Sequence, residues 1–151
     1  MTSLQLQLVT PGGTGFQTEA KSVSIMTAEG HITILPGHTP LVAVLHPGEM
    51  VIKTDKGTQE IHVAGGFVHV EPGSKITVLA DEAEHSHKLD EAHAHAAKKR
   101  AEELLTQSNL SDEEYAKAAA TLEISLSKLR TIRRRTHHTR KPITSEGVLH
   151  E

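Results

Sequence analysis

The sequence predicts a β + α protein, an N-terminal β-sandwich of about ten strands followed by a C-terminal antiparallel two-helix hairpin. The first observation is the distribution of chain breakers, because residues 1–86 hold ten of the eleven glycines and five of the six prolines. The second is charge, since residues 1–86 carry four basic against nine acidic residues and residues 87–151 carry twelve against ten. A long segment without glycine or proline marks a change of architecture. We place the boundary at about residue 86.

The first part predicts strands because its apolar residues alternate with polar ones at a period of two. This pattern occurs at Leu4-Leu6-Leu8, Val23-Ile25, Ile61-Val63, Val68-Val70 and Ile76-Val78, while Val51 and Ile52 are expected to face opposite sides of their strand. Turn-forming residues separate these runs, and Asp55-Lys56-Gly57 between two of them is typical of a hairpin. Short strands with frequent turns favour a sandwich or a barrel.

The second part predicts two helices, because its apolar residues recur at helical spacing. On the first helix the expected stripe runs through Leu89, Ala92, Ala96, Arg100 and Leu104, with Ala97, Ala101 and Leu105 beside it. On the second it runs through Tyr115, Ala118, Leu122, Leu126, Leu129 and Ile132. Ser111 is expected to cap the second helix while Glu114 reaches back. The short connection, Thr106–Leu110, forces an antiparallel hairpin of residues 87–136, which leaves a basic and polar tail, 137–151, expected to be disordered.

Composition excludes several classes of function. The chain has no cysteine, so disulfides, thiolate chemistry and cysteine-ligated zinc are absent. Its aromatic residues are Phe16, Phe67 and Tyr115, which is too few for base-stacking platforms. No apolar run approaches the roughly 18 to 20 residues that cross a bilayer, so no direct bilayer insertion is expected. No basic residue precedes Lys21, which argues against a secretory or transit peptide.

The twelve histidines invite a metal hypothesis, which the pattern does not favour. His87, Glu91 and His95 would share one face of a continuous helix, but zinc sites need three or four ligands that further contacts hold in place. A solvated polar face is the better interpretation, and we expect no metal and no cofactor. There is also no nucleophile elbow and no phosphate-binding loop, so no catalytic residues are predicted.

A basic segment is more informative. Seven lysines and arginines and no acidic residue lie between Ile124 and Lys141, namely Lys128, Arg130, Arg133, Arg134, Arg135, Arg140 and Lys141. A helix dipole favours cations at this end but does not require seven. An acidic protein surface is the favoured partner. Nucleic acid is disfavoured, because no aromatic residues are interleaved with the cations.

Two stretches resemble the signatures of the epsilon subunit of F-type ATP synthases, in its bacterial form. One is Ala28-Glu29-Gly30-His31-Ile32-Thr33-Ile34-Leu35-Pro36-Gly37-His38-Thr39-Pro40-Leu41, and the other is Val63-Ala64-Gly65-Gly66-Phe67-Val68-His69-Val70. The helical part is similar in Leu89-Asp90-Glu91-Ala92, Lys99-Arg100-Ala101-Glu102 and Tyr115-Ala116-Lys117-Ala118. The likeness spans about residues 3–135. Thr33 departs from it, because the family usually has glycine there.

The resemblance implies a non-catalytic rotor subunit in the central stalk of a proton-translocating ATP synthase, at the cytoplasmic face of a bacterial inner membrane. Its partners would be the gamma subunit, the c-ring and the alpha and beta catalytic subunits. It implies a c-ring contact at Glu29, Gly30 and His31, and a gamma contact at Pro36, Gly37 and His38. It also implies a hairpin that inhibits ATP hydrolysis, for which we expect the basic second helix to use Lys128, Arg130, Arg133, Arg134 and Arg135.

Some relatives bind ATP in this hairpin through an Ile/Leu-Asp-x-x-Arg-Ala motif and two arginines four apart. Here the motif reads Leu89-Asp90-Glu91-Ala92-His93-Ala94, and the two arginine positions hold Ile124 and Lys128. Without the bidentate guanidinium groups we expect no useful ATP binding. An alternative to the whole assignment is a free-standing β-sandwich adaptor with a partner-binding hairpin, regulated by metal through its histidines.

Overall fold

The structure, a computed structural model, describes residues 3–13 and 15–139, with side chains as far as Thr136. Its strands are β1 Leu4–Val9, β2 Phe16–Ala20, β3 Ser22–Thr27, β4 Gly30–Ile34, β5 Leu41–Leu45, β6 Gly48–Thr54, β7 Gly57–Val63, β8 Gly66–Glu71, β9 Lys75–Ala80 and β10 Ala83–His85. A 3₁₀ turn, Ser86–Lys88, leads to α1 Glu91–Leu105 and α2 Asp112–Thr139. The part of the predicted tail that follows Thr139 lies outside the described residues.

The ten strands form two packed layers. Their hydrogen-bonded order is β10-β7-β6-β3-β5-β8-β9-β1-β2, and β4 pairs with the free side of β3. Strands β3 and β5 share one residue pair, Thr27 with Leu45, so the sheet folds over at that point. We call β10, β7, β6, β3 and β4 the first layer and the remaining strands the second. The predicted fold class, a sandwich of about ten strands followed by two helices, is confirmed.

The core between the layers is aliphatic. It holds Leu4, Leu6, Leu8, Ala20, Val23, Ile25, Ile34, Leu45, Met50, Ile52, Ile61, Val63, Val68, Val70, Ile76, Val78 and Ala80. No aromatic residue is among them, as the composition predicts. The alternation read from the sequence therefore assigns the inward face of each run correctly, because side chains of successive strand residues point to opposite faces.

Local turn chemistry sets the strand connections. Asp55 and Lys56 form the two-residue link between β6 and β7, and Gly57 adopts a φ of 132°. The Thr54 hydroxyl donates to the Gly57 carbonyl at 3.0 Å, which closes this predicted hairpin. In the neighbouring β3–β4 hairpin, Thr33 lies opposite Ser24, and their hydroxyl oxygens are 2.9 Å apart. The departure from glycine at Thr33 thus adds a cross-strand hydrogen bond.

Both helices begin at a side-chain cap. The Asp90 carboxylate accepts from the backbone N–H of His93 at 3.2 Å, at the start of α1. At the start of α2, the Glu114 N–H donates to the Ser111 hydroxyl at 3.1 Å, and the Ser111 N–H donates to the Glu114 carboxylate at 3.4 Å. This reciprocal capping box is the one predicted from the sequence.

The stripe predicted for α1 is only partly right, since Leu89 and Ala101 are buried but most of its central line is exposed. Its buried residues are Ala94 and Ala101, with Ala97 and Leu105 half-buried, whereas Ala92, Ala96, Arg100 and Leu104 are exposed. Alanines occur all around this helix, so periodicity alone does not select the packed face.

On α2 the predicted stripe is partly right. Ala118, Leu129 and Ile132 are buried, but Tyr115 and Leu126 are 56% and 37% exposed.

The shared helix face considered for His87, Glu91 and His95 is absent. Leu89 is extended with a ψ of 130°, which separates the 3₁₀ turn that contains His87 from α1.

Candidate interaction surfaces

The predicted c-ring contact is an exposed, well-braced turn. Glu29, Gly30 and His31 are all exposed at the β3–β4 hairpin, where Gly30 has a φ of 129°. The buried Thr27 hydroxyl donates to the Gly30 carbonyl at 2.6 Å and accepts from the Glu29 N–H at 3.3 Å. The turn therefore presents a charged and polar tip on a rigid base.

The predicted gamma contact follows the other end of β4. Gly37 is exposed with a φ of 83°, and Pro36 and His38 are half-buried. The Gly37 N–H donates to the hydroxyl of Ser74 at 2.8 Å. Ser74 is buried, adopts a φ of 62°, and accepts from the Gln5 N–H through its carbonyl at 2.9 Å. Sequence reasoning missed Ser74, because only the tertiary structure brings the β8–β9 turn to this loop.

The two predicted contact segments are separate. They lie at opposite ends of β4, a strand of five residues, and at about 3.3 Å per residue they are roughly 16 Å apart. A single short loop of a partner therefore cannot contact both segments. A partner that engages both segments must extend along the edge of the sandwich.

An apolar patch lies on the outer face of the second layer. It consists of Val42, Val44, Phe67 and Leu79, which are 66%, 53%, 51% and 48% exposed. The last three stand side by side across β5, β8 and β9, because Val44 pairs with Phe67 and Phe67 with Leu79. The Val44 carbonyl accepts from the Ala28 N–H at 2.9 Å, so the patch begins beside the β3–β4 turn. A contiguous exposed group of this kind marks an interaction surface. None of its four residues is among the contacts predicted from the sequence.

The five predicted basic residues of α2 fall on two faces of the helix. Lys128 and Arg135, seven residues apart, both contact the sandwich. The Lys128 ammonium lies 3.2 Å from the Glu82 carboxylate, and the Arg135 guanidinium donates to the Ser86 carbonyl. Arg130, Arg133 and Arg134 are exposed on another side. Helical geometry requires this division, because residues seven apart share a face and residues two apart do not.

Polar contacts join the hairpin to the outer face of the first layer. Besides the Lys128–Glu82 pair, the His46 ring lies 2.8 Å from the Glu123 carboxylate. The Ser86 hydroxyl donates to the Glu49 carboxylate at 2.8 Å, which fixes the 3₁₀ turn against β6. The side chains of His46 and Glu123 are 43% and 47% exposed, and a pair this accessible contributes little, typically below 1 kcal/mol. The hairpin is therefore docked on the sandwich, and the weakness of these polar contacts suits reversible docking.

One buried polar contact crosses the same interface. The Nε2 atom of His62, on β7, lies 2.8 Å from the hydroxyl of Ser127 on α2, and the two residues are 2% and 3% exposed. Burial lowers the pKa of His62 from 6.5 to about 4; Lys128 and Arg130 also lower it, and Glu82 opposes them. Sequence reasoning gave no role to His62, which resembles any other polar residue of an alternating strand.

Two kinds of site are not found in the part of the chain that the structure describes. Among residues 3–13 and 15–136, no three or more metal-ligating side chains lie together, and the 3.7 Å contact of His95 with Glu91 joins only two such groups. Within the same residues no helix has both the length and the apolar composition to cross a membrane.

Comparison with known proteins identifies the family. Residues 3–86 match the family model described as ATP synthase, Delta/Epsilon chain, beta-sandwich domain, and residues 87–133 match its long alpha-helix domain. The ATP synthase epsilon chain of Psychrobacter arcticus is 41% identical over 136 residues, which cover 89% of this chain and 96% of that one. That of Bacillus pumilus is 41% identical over 119 residues, which cover 79% and 90%.

A solved structure has the same fold. A chain in the structure of the Euglena gracilis mitochondrial ATP synthase, OSCP/F1/c-ring, superposes with a TM-score of 0.77 at 21% identity. The likeness covers 87% of this chain and 82% of that one. Taken with the two family models, which together match most of the sequence, these findings show that the chain belongs to the ATP synthase delta/epsilon chain family.

Proposed function

We propose that the chain is a non-catalytic rotor subunit of the central stalk, which links the gamma subunit to the c-ring and restrains ATP hydrolysis through its hairpin. It acts as a peripheral subunit at the cytoplasmic face of a bacterial plasma membrane. The family supports a place in the ATP synthase complex. The separate contacts follow from the surfaces described above, one surface for each partner.

The sandwich surfaces support the two rotor contacts. The exposed polar turn, Glu29–His31, suits a polar loop of the c-ring. We assign the apolar patch of Val42, Val44, Phe67 and Leu79 to the gamma contact together with Pro36–His38, because β5, which carries Val42 and Val44, follows that loop in the chain. Burial of these four side chains against gamma would stabilise the complex by about 25 cal/mol per Å² of apolar surface, which a contact through a polar loop alone does not provide.

The division of the basic residues carries the inhibitory proposal. In the docked hairpin, Lys128 and Arg135 are bound to the sandwich, while Arg130, Arg133 and Arg134 face solvent. The three exposed arginines can meet an acidic segment of the catalytic beta subunits first, and release of the hairpin adds the other two cations. Docking on the sandwich and binding to the catalytic subunits therefore compete for Lys128 and Arg135.

The test replaces the three exposed arginines of α2 in the assembled complex and leaves Lys128 and Arg135 unchanged. In membrane vesicles, R130Q/R133Q/R134Q is expected to raise the rate of ATP hydrolysis by roughly two- to fivefold, because three charge contacts to the inhibited state are lost. Assembly and proton pumping are expected to stay intact, since the sandwich makes the rotor contacts.

The matched control is K88Q/K99Q/K117Q, which removes three exposed positive charges from the same half of the chain. It is expected to leave hydrolysis within experimental error of the native rate. A rate in R130Q/R133Q/R134Q equal to that of the native complex, or an equal rise in both variants, would contradict the inhibitory role of the exposed arginines.

A further inference from the structure

His62 occupies the middle of the hairpin–sandwich interface. It lies on β7 with its side chain on the outer face of the first layer, where α2 covers it and leaves 2% of its surface exposed. Its Nε2 atom contacts the Ser127 hydroxyl across the interface. Thr131, one turn further along α2, is also buried, so this part of the helix lies flat on the sheet.

The charged groups around His62 belong to two sets. One set remains beside the imidazole whether or not the hairpin is docked, because it belongs to the sandwich. Glu49 and Glu84 lie directly opposite His62 on β6 and β10, and Glu82 lies in the turn before β10. Glu60, His85 and His87 lie further along the same interface, and Arg135 of α2 lies beside them when the hairpin is docked.

The other set is present only when α2 is docked. It consists of Lys128 and Arg130, which repel a second positive charge, together with the covering helix itself, which excludes water. A protonated His62 in the docked state is therefore a buried cation beside another cation. The Ser127 contact can survive protonation, since a ring N–H can donate to a hydroxyl. The free-energy cost of protonating His62 in the docked state therefore comes from burial of its charge and not from loss of the Ser127 hydrogen bond.

We propose that protonation of His62 releases the hairpin from the sandwich, so that docking of α2 weakens as the pH falls. This regulation concerns the docked hairpin of the chain itself and holds whether or not the hairpin inhibits ATP hydrolysis. The ligand of the switch is the proton, and the bistable element is the hairpin.

The direction and size of the effect follow from linkage. When the hairpin is docked, the His62 pKa is about 4, against 6.5 for a solvated imidazole. The docked state thus binds fewer protons, and docking is fully favourable above pH 6.5 and is lost progressively below it. Between pH 7.5 and 5.5 the docking equilibrium is expected to fall by about tenfold.

Three other histidines lie at the hairpin–sandwich interface, namely His46, His85 and His87. The His46 ring lies 2.8 Å from the Glu123 carboxylate of α2. The two side chains are 43% and 47% exposed, and a pair this accessible is weak. A contact of this kind contributes little to docking, so the expected pH dependence rests on His62.

The test measures docking in the isolated full chain through a buried thiol. The protein has no cysteine, so T131C introduces a unique reporter under the docked helix, and A120C provides an exposed reference on the same helix. The ratio of their alkylation rates at each pH measures protection of the interface. We expect protection to fall several-fold, up to about tenfold, between pH 7.5 and 5.5.

Two variants assign the fall to His62. In H62Q, which keeps a polar group at this site but cannot titrate, protection is expected to change less than twofold. H69Q removes a histidine of β8 that the hairpin does not cover, and it is expected to behave as the native chain does. Constant protection in the native chain, or an equal fall in H62Q, overturns the proposal.

A second measurement covers the case in which H62Q does not fold. Titration of the His62 ring by NMR in the native chain is expected to give an apparent pKa below the ordinary 6.5. K128Q is expected to raise that pKa, because the neighbouring cation is gone. A pKa of 6.5 or higher in the native chain, or one that K128Q leaves unchanged, overturns the proposal. Failure of the arginine variants in the hydrolysis assay leaves this result unaffected.

Discussion

At the residue scale, the second family signature has a steric explanation. Gly66 adopts a φ of 125°, and a Cβ atom added there would lie 1.9 Å from the Leu79 carbonyl oxygen on the adjacent strand. Any side chain is therefore excluded twice, by the backbone conformation and by the neighbouring backbone. The start of β8 can pass this close to β9 only because position 66 has no side chain.

We predict that Gly66→Ala lowers the free energy of unfolding by about 3 kcal/mol or more, because backbone must move to relieve the clash. Urea denaturation followed by far-UV circular dichroism measures the change. Gly12→Ala is the matched control, since the added Cβ meets no atom within 4 Å there, and a change below about 1 kcal/mol is expected. Equal stability of the two variants would show that the close approach at β9 is unimportant.

At the element scale, the hairpin combines well-formed ends with a weak interior. The caps at Asp90 and Ser111 fix where each helix begins, but the two helices pack through small side chains such as Ala94, Ala101 and Ala118. A groove of about 500 Å³ remains open between them, and it is lined by Ala97, Arg100, Ala101, Leu104, Gln107, Leu110, Glu114, Lys117, Ala118 and Thr121. Such a hairpin needs a partner surface, which the sandwich provides here.

The same element carries the prediction on nucleotide binding. The Asp90 carboxylate is engaged in the α1 cap, His93 replaces an arginine, and Lys128 is paired with Glu82. Two charge-assisted contacts are missing, because His93 and Ile124 stand where the ATP-binding relatives have arginine. At roughly 1.5–3 kcal/mol each, their loss is expected to weaken ATP binding by about two to four orders of magnitude. Calorimetric titration of the isolated chain with ATP at pH 7.5 is expected to show no micromolar binding. Binding at micromolar concentrations would mean that other cations of the hairpin hold the phosphates.

At the scale of the whole molecule, the outer faces of the two layers differ in character. The outer face of the first layer carries the polar contacts to the hairpin, and that of the second carries the exposed apolar patch. Packing of the layers places these faces on opposite sides of the sandwich. The docked hairpin therefore leaves the apolar patch uncovered.

The orientation toward the c-ring is tested by crosslinking in the assembled complex. Cysteines in place of Glu29 or His31 are expected to form disulfides with a cysteine in the polar loop of the c-ring under oxidation. Gly30 is left unchanged, because its φ of 129° does not suit a side chain. Asp55→Cys, in the exposed β6–β7 turn, is the control and is expected to give no crosslink. Absence of crosslinks at both positions, or an equal yield at residue 55, would place the c-ring elsewhere.

The sequence by itself determined what depends on neighbours along the chain. The period of two along β1 and β9, the Asp55-Lys56 hairpin and the Ser111–Glu114 capping box are local features, and each is confirmed in the structure. The fold class follows from them, because strands with one apolar face must pack in layers and a breaker-free segment forms helices.

Only the tertiary structure decided which faces meet. Helix α1 has alanine on every side, so several stripes bury similar area, and contact with α2 selects Ala94 and Ala101. His62 and Ser127 are 65 residues apart, and no local pattern predicts that two polar side chains satisfy each other in a buried interface. The division of the basic residues between docked and exposed faces has the same origin, because it depends on how α2 lies on the sheet.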